Sequence, residues 1–564
     1  MQGAAMPSKP ELLTDPFLQL PTQTSVQVVW FTEFAGDRHT VAYGSDLQQV
    51  EIAQTQKLSR TREDARSKVL PPVQQVVDRP IWRHEATIGG LSPGVRLPYQ
   101  VTSVREDGES ASSLVFTLAA QPTPGMPLKI LLTSDHQLKP MVTANLQKVV
   151  ETVGQVDAVF FAGDLVNVAD RASEWFDDSR GGAFFPALQG RANYQLEPSG
   201  IRYVGGELIQ HAPLFATVGN HEVMGRFSSE TSLDEQFYDA VPRSLAQEQY
   251  DYNHSHINPD NSLEVEQSWL KNQSFNIDTY EEILTLPRSL EGGEKYYAVT
   301  FGDICLVVLY ITCIWRTPSL NEDARGKYRE RDRDLDQPGN WGYGQLIFEP
   351  IAKNSLQYTW LAQELQSQAF QQAKYKIVMF HHPPHSLGEN IEPAYTNPVP
   401  VIERNLQGDI TAIRYEYPKR DDYIIRDVVP LLEEAGVQFV FYGHSHLWNR
   451  FMSPTGMHFL ESSNVGNSYG AYVGDLKRHV PRDYQEDYAA TGNPNGLPPV
   501  VPTIAPLTDA RGNPLPYIAS NELTAFSIFD TASGMVSSYR FDTRQPESAV
   551  VKFDEFLLNR GDGR

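Results

Sequence analysis

Apolar residues along this chain follow two different patterns, and the change falls near residue 121. In the first stretch, residues 25–32 (SVQVVWFT) alternate, with Val26, Val28 and Trp30 on one face of a predicted strand. Residues 40–43, 82–88, 99–104 and 114–118 read as further short strands, separated by turn signals such as Ser92-Pro93-Gly94 and Glu106-Asp107-Gly108. Short strands at this spacing predict a small all-β sandwich over residues 12–120. Residues 121–127 (QPTPGMP) form a stiff linker and a domain boundary.

Beyond the linker, continuous apolar runs replace alternation. Residues 129–133, 158–161, 214–218, 304–310, 377–380 and 437–442 read as strands buried on both faces. Between the first two, Val142, Leu146, Val149, Val150 and Val153 form a helical stripe, and amphipathic helices fit residues 355–368 and 423–435. Strands alternating with helices predict an α/β domain over residues 128–545. Residues 224–294, 316–350 and 464–520 read as long, irregular loops, which in a compact domain are usually functional rims.

Composition removes several classes. The longest apolar run, residues 304–315, falls short of the ~20 residues a membrane span needs. Residues 1–16 lack the apolar core of a secretory signal, so the plain expectation is cytoplasmic, with export to a periplasm or beyond as the alternative. Cys305 and Cys313 exclude a disulfide framework and a thiolate zinc site. Eight residues apart along one predicted strand, they are too distant to bridge and read as buried thiols. A net charge of −23 opposes a grip on long nucleic acid or anionic lipid.

The chemistry lies where the apolar strands stop. Five of them run into Ser134-Asp135-His136-Gln137, Gly163-Asp164, Gly219-Asn220-His221-Glu222, His381-His382-Pro383-Pro384 and Gly443-His444-Ser445-His446. Ligands of open α/β sheets bind beyond the carboxyl ends of strands. Any one Asp there is usually a turn or cap residue. With 39 Gly and 14 His in 564 residues, however, Gly-His-x-His is expected by chance only roughly 0.02 times. Carboxylate, amide oxygen and imidazole suit Mn, Fe or Zn. The set is too large for one open zinc site and suits two divalent transition-metal ions sharing a ligand, the clamp used for in-line displacement at phosphorus.

These ordered motifs resemble the calcineurin-like metallophosphoesterase superfamily from about residue 128 to 541, including residues 357–365 (QYTWLAQEL) as the helix before the fourth motif. The front domain, with Pro16-Phe17-Leu18-Gln19 and Gly90-Leu91-Ser92-Pro93-Gly94, resembles the fibronectin-III-like domain that precedes the catalytic domain of plant-type purple acid phosphatases, although Leu97 stands where Tyr is usual. The resemblance implies two β-sheets flanked by helices behind the small sandwich. It implies that Asp164 bridges two cations, that Asp135 and His446 complete the first, and that Asn220, His381 and His444 hold the second. His221 would then be proton donor or phosphate stabiliser beside the leaving group. Glu222 either orients His221 or simply packs.

Three departures modify that expectation. Gln137 replaces a frequent His and either ligates through its amide oxygen or hydrogen-bonds; by resemblance it also occurs in nucleotide-diphosphate hydrolases. Asn167 stands where purple acid phosphatases carry the Tyr whose phenolate gives them colour, so this chain is expected not to be purple. His381 and His382 are adjacent, and successive strand residues face opposite ways, so only one ligates; the His-x-Pro register favours His381, with His382 and His385 left to reach substrate. The leading expectation is hydrolysis of small phosphate monoesters, with phosphodiesters or nucleotide diphosphates as the alternative. A degenerate binding module is disfavoured because the core ligand positions are filled by competent residues. The charged run at residues 322–336 is expected to be a solvated loop, or else a lid offering Arg325, Lys327 or Arg329 to substrate. Trp341 and Tyr343 would stack a ring or pin the loop.

Overall fold

The computed structural model describes residues 9–197, 199–319, 321–482 and 488–558, so the first eight residues of the stretch read for a secretion signal lie outside it. The amino-terminal region is a sandwich of two antiparallel sheets. One runs Phe17–Gln19, Val26–Thr32, Trp82–Ile88, Gln54–Lys57, and the other is built on Leu97–Val104 and Arg38–Tyr43. Alternation places Val26, Val28, Trp30, Tyr99, Val101 and Phe116 in its core. The strands Gln49–Ile52 and Gln54–Lys57 are wholly exposed and lie outside the strands predicted from the sequence.

Two buried imidazoles give this sandwich a pH dependence. His39 and His84 stack at 3.5 Å, and each ring nitrogen has a partner suited to the neutral ring. His84 Nε2 lies 2.8 Å from Thr32 and Nδ1 2.9 Å from Thr55. Burial pushes His84 down to about 2, and the neighbouring His39 and Arg83 add to that. In the unfolded chain the ring takes a proton near 6.5, so the unfolded state gains protons first as pH falls. Stability is therefore complete above that value and lost below it, by about 2 kcal/mol for His84 between pH 7 and pH 5. Thermal midpoints across that range should show this slope for the wild type and a shallower one for His84→Gln.

The second region holds two mixed sheets around one apolar core. A six-stranded sheet runs Leu214–Ala216, Ala158–Phe161, Lys129–Thr133, Leu523–Asp530, Met535–Asp542, Val551–Leu557, with the first three strands parallel. A seven-stranded sheet is centred on the parallel strands Ile304–Val308, Tyr375–Met379, Phe439–Tyr442 and His458–Ser462. Phe161, Phe215, Val307, Ile377 and Phe441 from both sheets enter the same core. The helix Val142–Val153 buries Val142, Leu146 and Val149 of the predicted stripe, with Val150 and Val153 partly buried against the same core. Residues 424–435 are helical but open with a π-turn over Ile424–Val428.

Two expectations need correcting. Residues 224–294 are not irregular: they contain the helices Leu233–Phe237, Arg243–Ile257, Leu263–Asn272 and Asp278–Ile283. Arg243–Ile257 buries only Ala246 and Tyr250, and Leu263–Asn272 buries nothing, so neither carries a readable apolar stripe. Residues 316–350 and the described part of 464–520 do run mostly as loops. Both cysteines are buried and free, but they do not share a strand; Cys313 lies beyond Ile304–Val308 and bridges Ile347. No helix among the described residues is long and apolar enough to cross a membrane.

The two regions are joined by buried ion pairs. Arg62 meets Asp170 at 2.7 Å, Arg60 meets Asp278 at 3.0 Å, and Arg171 binds Asp64, Glu174 and Asp234 together. These contacts dock residues 60–68 of the sandwich beside the segment that follows Asp164.

Candidate metal centre

The parallel strands deliver their terminal side chains to one place. Asp164, His381 and His444 form one buried cluster, and Asp135, Asp164 and His446 another; within each, the ligand atoms lie within 4.8 Å of one another. Asp164 belongs to both. His381 Nε2 lies 3.2 Å from Asp164 Oδ2, 3.1 Å from Asn220 Oδ1 and 3.1 Å from His444 Nδ1. His446 Nε2 lies 3.5 Å from Asp135 Oδ1, an oxygen that is buried and has no hydrogen-bond partner among the described residues.

The backbone is strained where the candidate ligands sit. Asp135, Gln137, Asp164, His444 and His446 all have positive φ, between 43° and 83°. Non-glycine residues take that conformation at a cost of about 1–3 kcal/mol each, and such strain clusters at functional sites. Two motif glycines are required by close approach. A Cβ on Gly219 would lie 2.2 Å from Asp164 Oδ1, and one on Gly443 would lie 2.0 Å from Ser134 Oγ and 2.2 Å from Asp135 Oδ2.

Hydrogen bonds orient the donor atoms inward. The Nδ1–H of His381 donates to the Ala162 carbonyl at 2.7 Å, leaving Nε2 free toward Asp164. His446 Nδ1 is 3.0 Å from the Asn467 carbonyl, which aims its Nε2 at Asp135. Two buried glutamates tie the loops together. Glu222 accepts from the backbone N–H groups of Asp164, Leu165 and Gly219, so it braces two motifs rather than merely packing. Glu461 accepts from the Ser445 N–H and the side chains of Ser386 and Asn449.

Electrostatics fit a dicationic occupant. Burial alone would raise both aspartates; His446 and Lys139 overcome this at Asp135, and His381 and His221 do so at Asp164, so both are held lowered. Burial lowers His381, but the charge of Asp164 outweighs it and raises the imidazole to about 9. His444 is driven well below its ordinary value by burial and by His382 and His381, which leaves it neutral, the form that ligates. The two buried ionised carboxylates call for positive charge, which a proton on His381 supplies in part and which a bound cation would supply in its place, and the unpartnered Asp135 oxygen marks where that cation would bind.

His221 sits at the rim with its side chain 23% exposed and Nε2 4.0 Å from Asp164 Oδ2. Its Nδ1–H donates to the Asn167 carbonyl at 2.6 Å, and its ring stacks on Phe237. The cavity above the centre, about 160 Å³, is bounded by Asn220, His221, His444 and His446 and by Tyr238, Trp315 and Tyr469. Gln137 donates its amide to Asp164 Oδ2 at 2.7 Å. Asn167 donates its side-chain amide to the Gln137 carbonyl.

His382 points away, with its Nδ1 3.9 Å from the Cys313 sulfur, and His385 bonds Asn493, so neither reaches the cavity. The charged loop is not a lid: Arg325 pairs with Asp239, Arg329 with Asp332, and Lys327 is buried. Trp341 and Tyr343 donate to the Asp334 and Pro338 carbonyls and pin that loop. Sequence reasoning missed Glu461, the buried Lys139 whose ammonium has no hydrogen-bond partner, and the aromatic rim. None of them stands in a spaced motif; only position in the fold identifies them.

A family model for calcineurin-like phosphoesterases matches residues 128–447. Among solved structures, the purple acid phosphatase PPD1 from yellow lupin (Lupinus luteus) seeds matches at TM-score 0.52 and 13% identity, over 96% of this chain and 73% of that chain. The structure of PhoD matches at TM-score 0.41 and 12% identity, over 98% of this chain and 93% of that chain. No curated protein sequence matches this one. The amino-terminal sandwich and the two-sheet α/β region together reproduce the fold of the lupin enzyme. With the family model covering more than half of its length, the chain belongs to the calcineurin-like phosphoesterase family and is a metal-dependent phosphoester hydrolase.

Proposed function

We propose that this enzyme hydrolyses small phosphate monoesters at a dinuclear metal centre. The observation that carries the reading is the pair of ligand clusters sharing Asp164, with His221 beside them. In this reading Asp135, Asp164 and His446 hold one cation and Asp164, Asn220, His381 and His444 the other, while Gln137 steadies Asp164 rather than ligating. Two bound cations would supply charge neutralisation on the phosphoryl group and a nucleophile at neutral pH. The chain's own part is positional. The Asn167 carbonyl fixes the His221 tautomer so that Nε2 faces the cleft. In the protonated ring, with Nδ1–H held there, the second proton sits on Nε2, and His221 can pass it to the departing alcohol oxygen and return to the neutral Nδ1–H form. Glu222 and Glu461 keep three ligand loops in register through backbone hydrogen bonds. The domain division at residues 121–127 is part of the same proposal, with the sandwich positioning residues 60–68 against the catalytic region.

Phosphodiesters or nucleotide diphosphates are the second reading, favoured by Gln137 and by the open cleft that continues past His221. A panel of p-nitrophenyl phosphate, bis(p-nitrophenyl) phosphate and a nucleoside diphosphate separates the two. The expected result is fastest turnover of the monoester, lost on chelation and regained with Mn²⁺. Faster diester turnover would favour the second reading, and activity that resists chelation would sink both.

A further inference from the structure

We propose that the amino-terminal β domain supplies an anion subsite to the catalytic cleft, formed by Arg66 and Lys68, which takes a second anionic group on the leaving side of the substrate. The inference rests on the phosphoester reading above and narrows its substrate class to phosphoesters or phosphoanhydrides whose leaving group is itself charged.

A second cavity, of about 450 Å³, adjoins the metal-centre cavity, and Asn167, His221 and Tyr238 line both. That volume lies in the ~300–1,000 Å³ range of small-molecule pockets. His221 stands at the junction, so a leaving group that takes its proton departs into this space. The opposite wall is residues 65–68, which belong to the other domain.

This wall is held firmly. The buried Asp64 carboxylate accepts from the N–H groups of Arg66, Ser67 and Leu233 and pairs with Arg171. The Lys68 carbonyl accepts from the Ser179 N–H at 2.7 Å, tying the loop to the catalytic region. Such support fixes the backbone from which the two side chains reach the cleft.

Of the four cations lining this cavity, two are already committed. Arg171 is shared among Asp64, Glu174 and Asp234, and Arg180 binds Asp178 through two nitrogens. Lys68 is exposed and its ammonium pairs with no carboxylate among the described residues. Arg66 has its side chain 69% exposed, with one contact to Asp234 at 3.2 Å. The carboxylates lining the same cavity, Glu174, Asp178 and Asp234, are paired with Arg171, Arg180 and Arg66, which leaves Lys68 unpaired among the described residues and Arg66 exposed with a single ion pair on the leaving-group side of the site. A phosphate or carboxylate there would meet a planar guanidinium and a mobile ammonium together.

The test uses the full-length, metal-loaded enzyme and the exposed substitutions Lys68→Glu and Arg66→Ala. Each should lower kcat/KM for ADP, the charge reversal about tenfold, while p-nitrophenyl phosphate stays within about twofold. Calorimetry gives an independent reading: pyrophosphate affinity should fall about tenfold in Lys68→Glu while inorganic phosphate affinity is unchanged. Equal effects on both members of either pair, or no effect, would overturn the subsite. If the wild type turned over no ester yet bound pyrophosphate in a Lys68-dependent way, the subsite would stand and the hydrolase reading would fall. If hydrolysis proceeded with unaltered selectivity, the subsite alone would fall.

Discussion

Replacing Asp164 by alanine is expected to lower kcat/KM for phosphate-ester hydrolysis by at least about 10³-fold, equivalent to about 4 kcal/mol of lost transition-state stabilisation. Asp164 is the one residue common to both ligand clusters. Its Oδ2 faces His381 and the Gln137 amide, and its Oδ1 accepts from the His221 N–H at 2.9 Å. One substitution therefore withdraws a ligand from each cluster and a backbone anchor from the rim. The substituted side chain is buried but not part of the apolar core, so circular dichroism should be unchanged while activity and metal content collapse. Retention of activity within about tenfold would show that Asp164 does not bridge.

His221→Asn should reduce turnover by about 10²–10³-fold on alkyl phosphates and much less on p-nitrophenyl phosphate. A proton donor matters most when the departing oxygen is basic, and nitrophenolate leaves unaided. The geometry suits this role: the Asn167 carbonyl holds Nδ1–H, the Phe237 ring fixes the plane, and Nε2 faces the space between the two cavities. Comparing kcat across a series of leaving groups reads the effect directly. Equal losses on every leaving group would make His221 a phosphate stabiliser, and unchanged turnover would remove it from the chemistry.

The convergence of the candidate ligands was legible because they sit at strand ends. Asp135, Asp164, Asn220, His381, His444 and His446 each follow an apolar run of low ambiguity, and parallel pairing brings those ends together whatever the loops do. Strand alternation also separates His381 from His382, and the structure has His381 facing the cluster and His382 facing Cys313. The α/β architecture and the sandwich were readable for the same reason: their apolar periods are regular.

What stayed hidden depends on tertiary packing. Glu461 lies on the strand His458–Ser462 with no motif around it, and its role exists only because Ser445, Ser386 and Asn449 converge on it. The helices between residues 233 and 283 bury too little to print a stripe on the sequence. The wall formed by Ala65, Arg66 and Lys68 is more than 150 residues from His221 along the chain, and it is brought there by buried ion pairs that no period announces. The net charge of −23 also misleads if read as a whole. The aspartates of the centre are balanced locally by imidazoles and Lys139, and two bound cations would dominate the field at the cleft.

The central claim is a centre for two cations that share Asp164. Elemental analysis by plasma mass spectrometry of the purified chain, after saturation with Mn²⁺ and removal of excess, tests it most directly. The account predicts two equivalents of metal per wild-type chain and less than one in Asp164→Ala; one equivalent or fewer in the wild type, or an unaltered count in the variant, would contradict it.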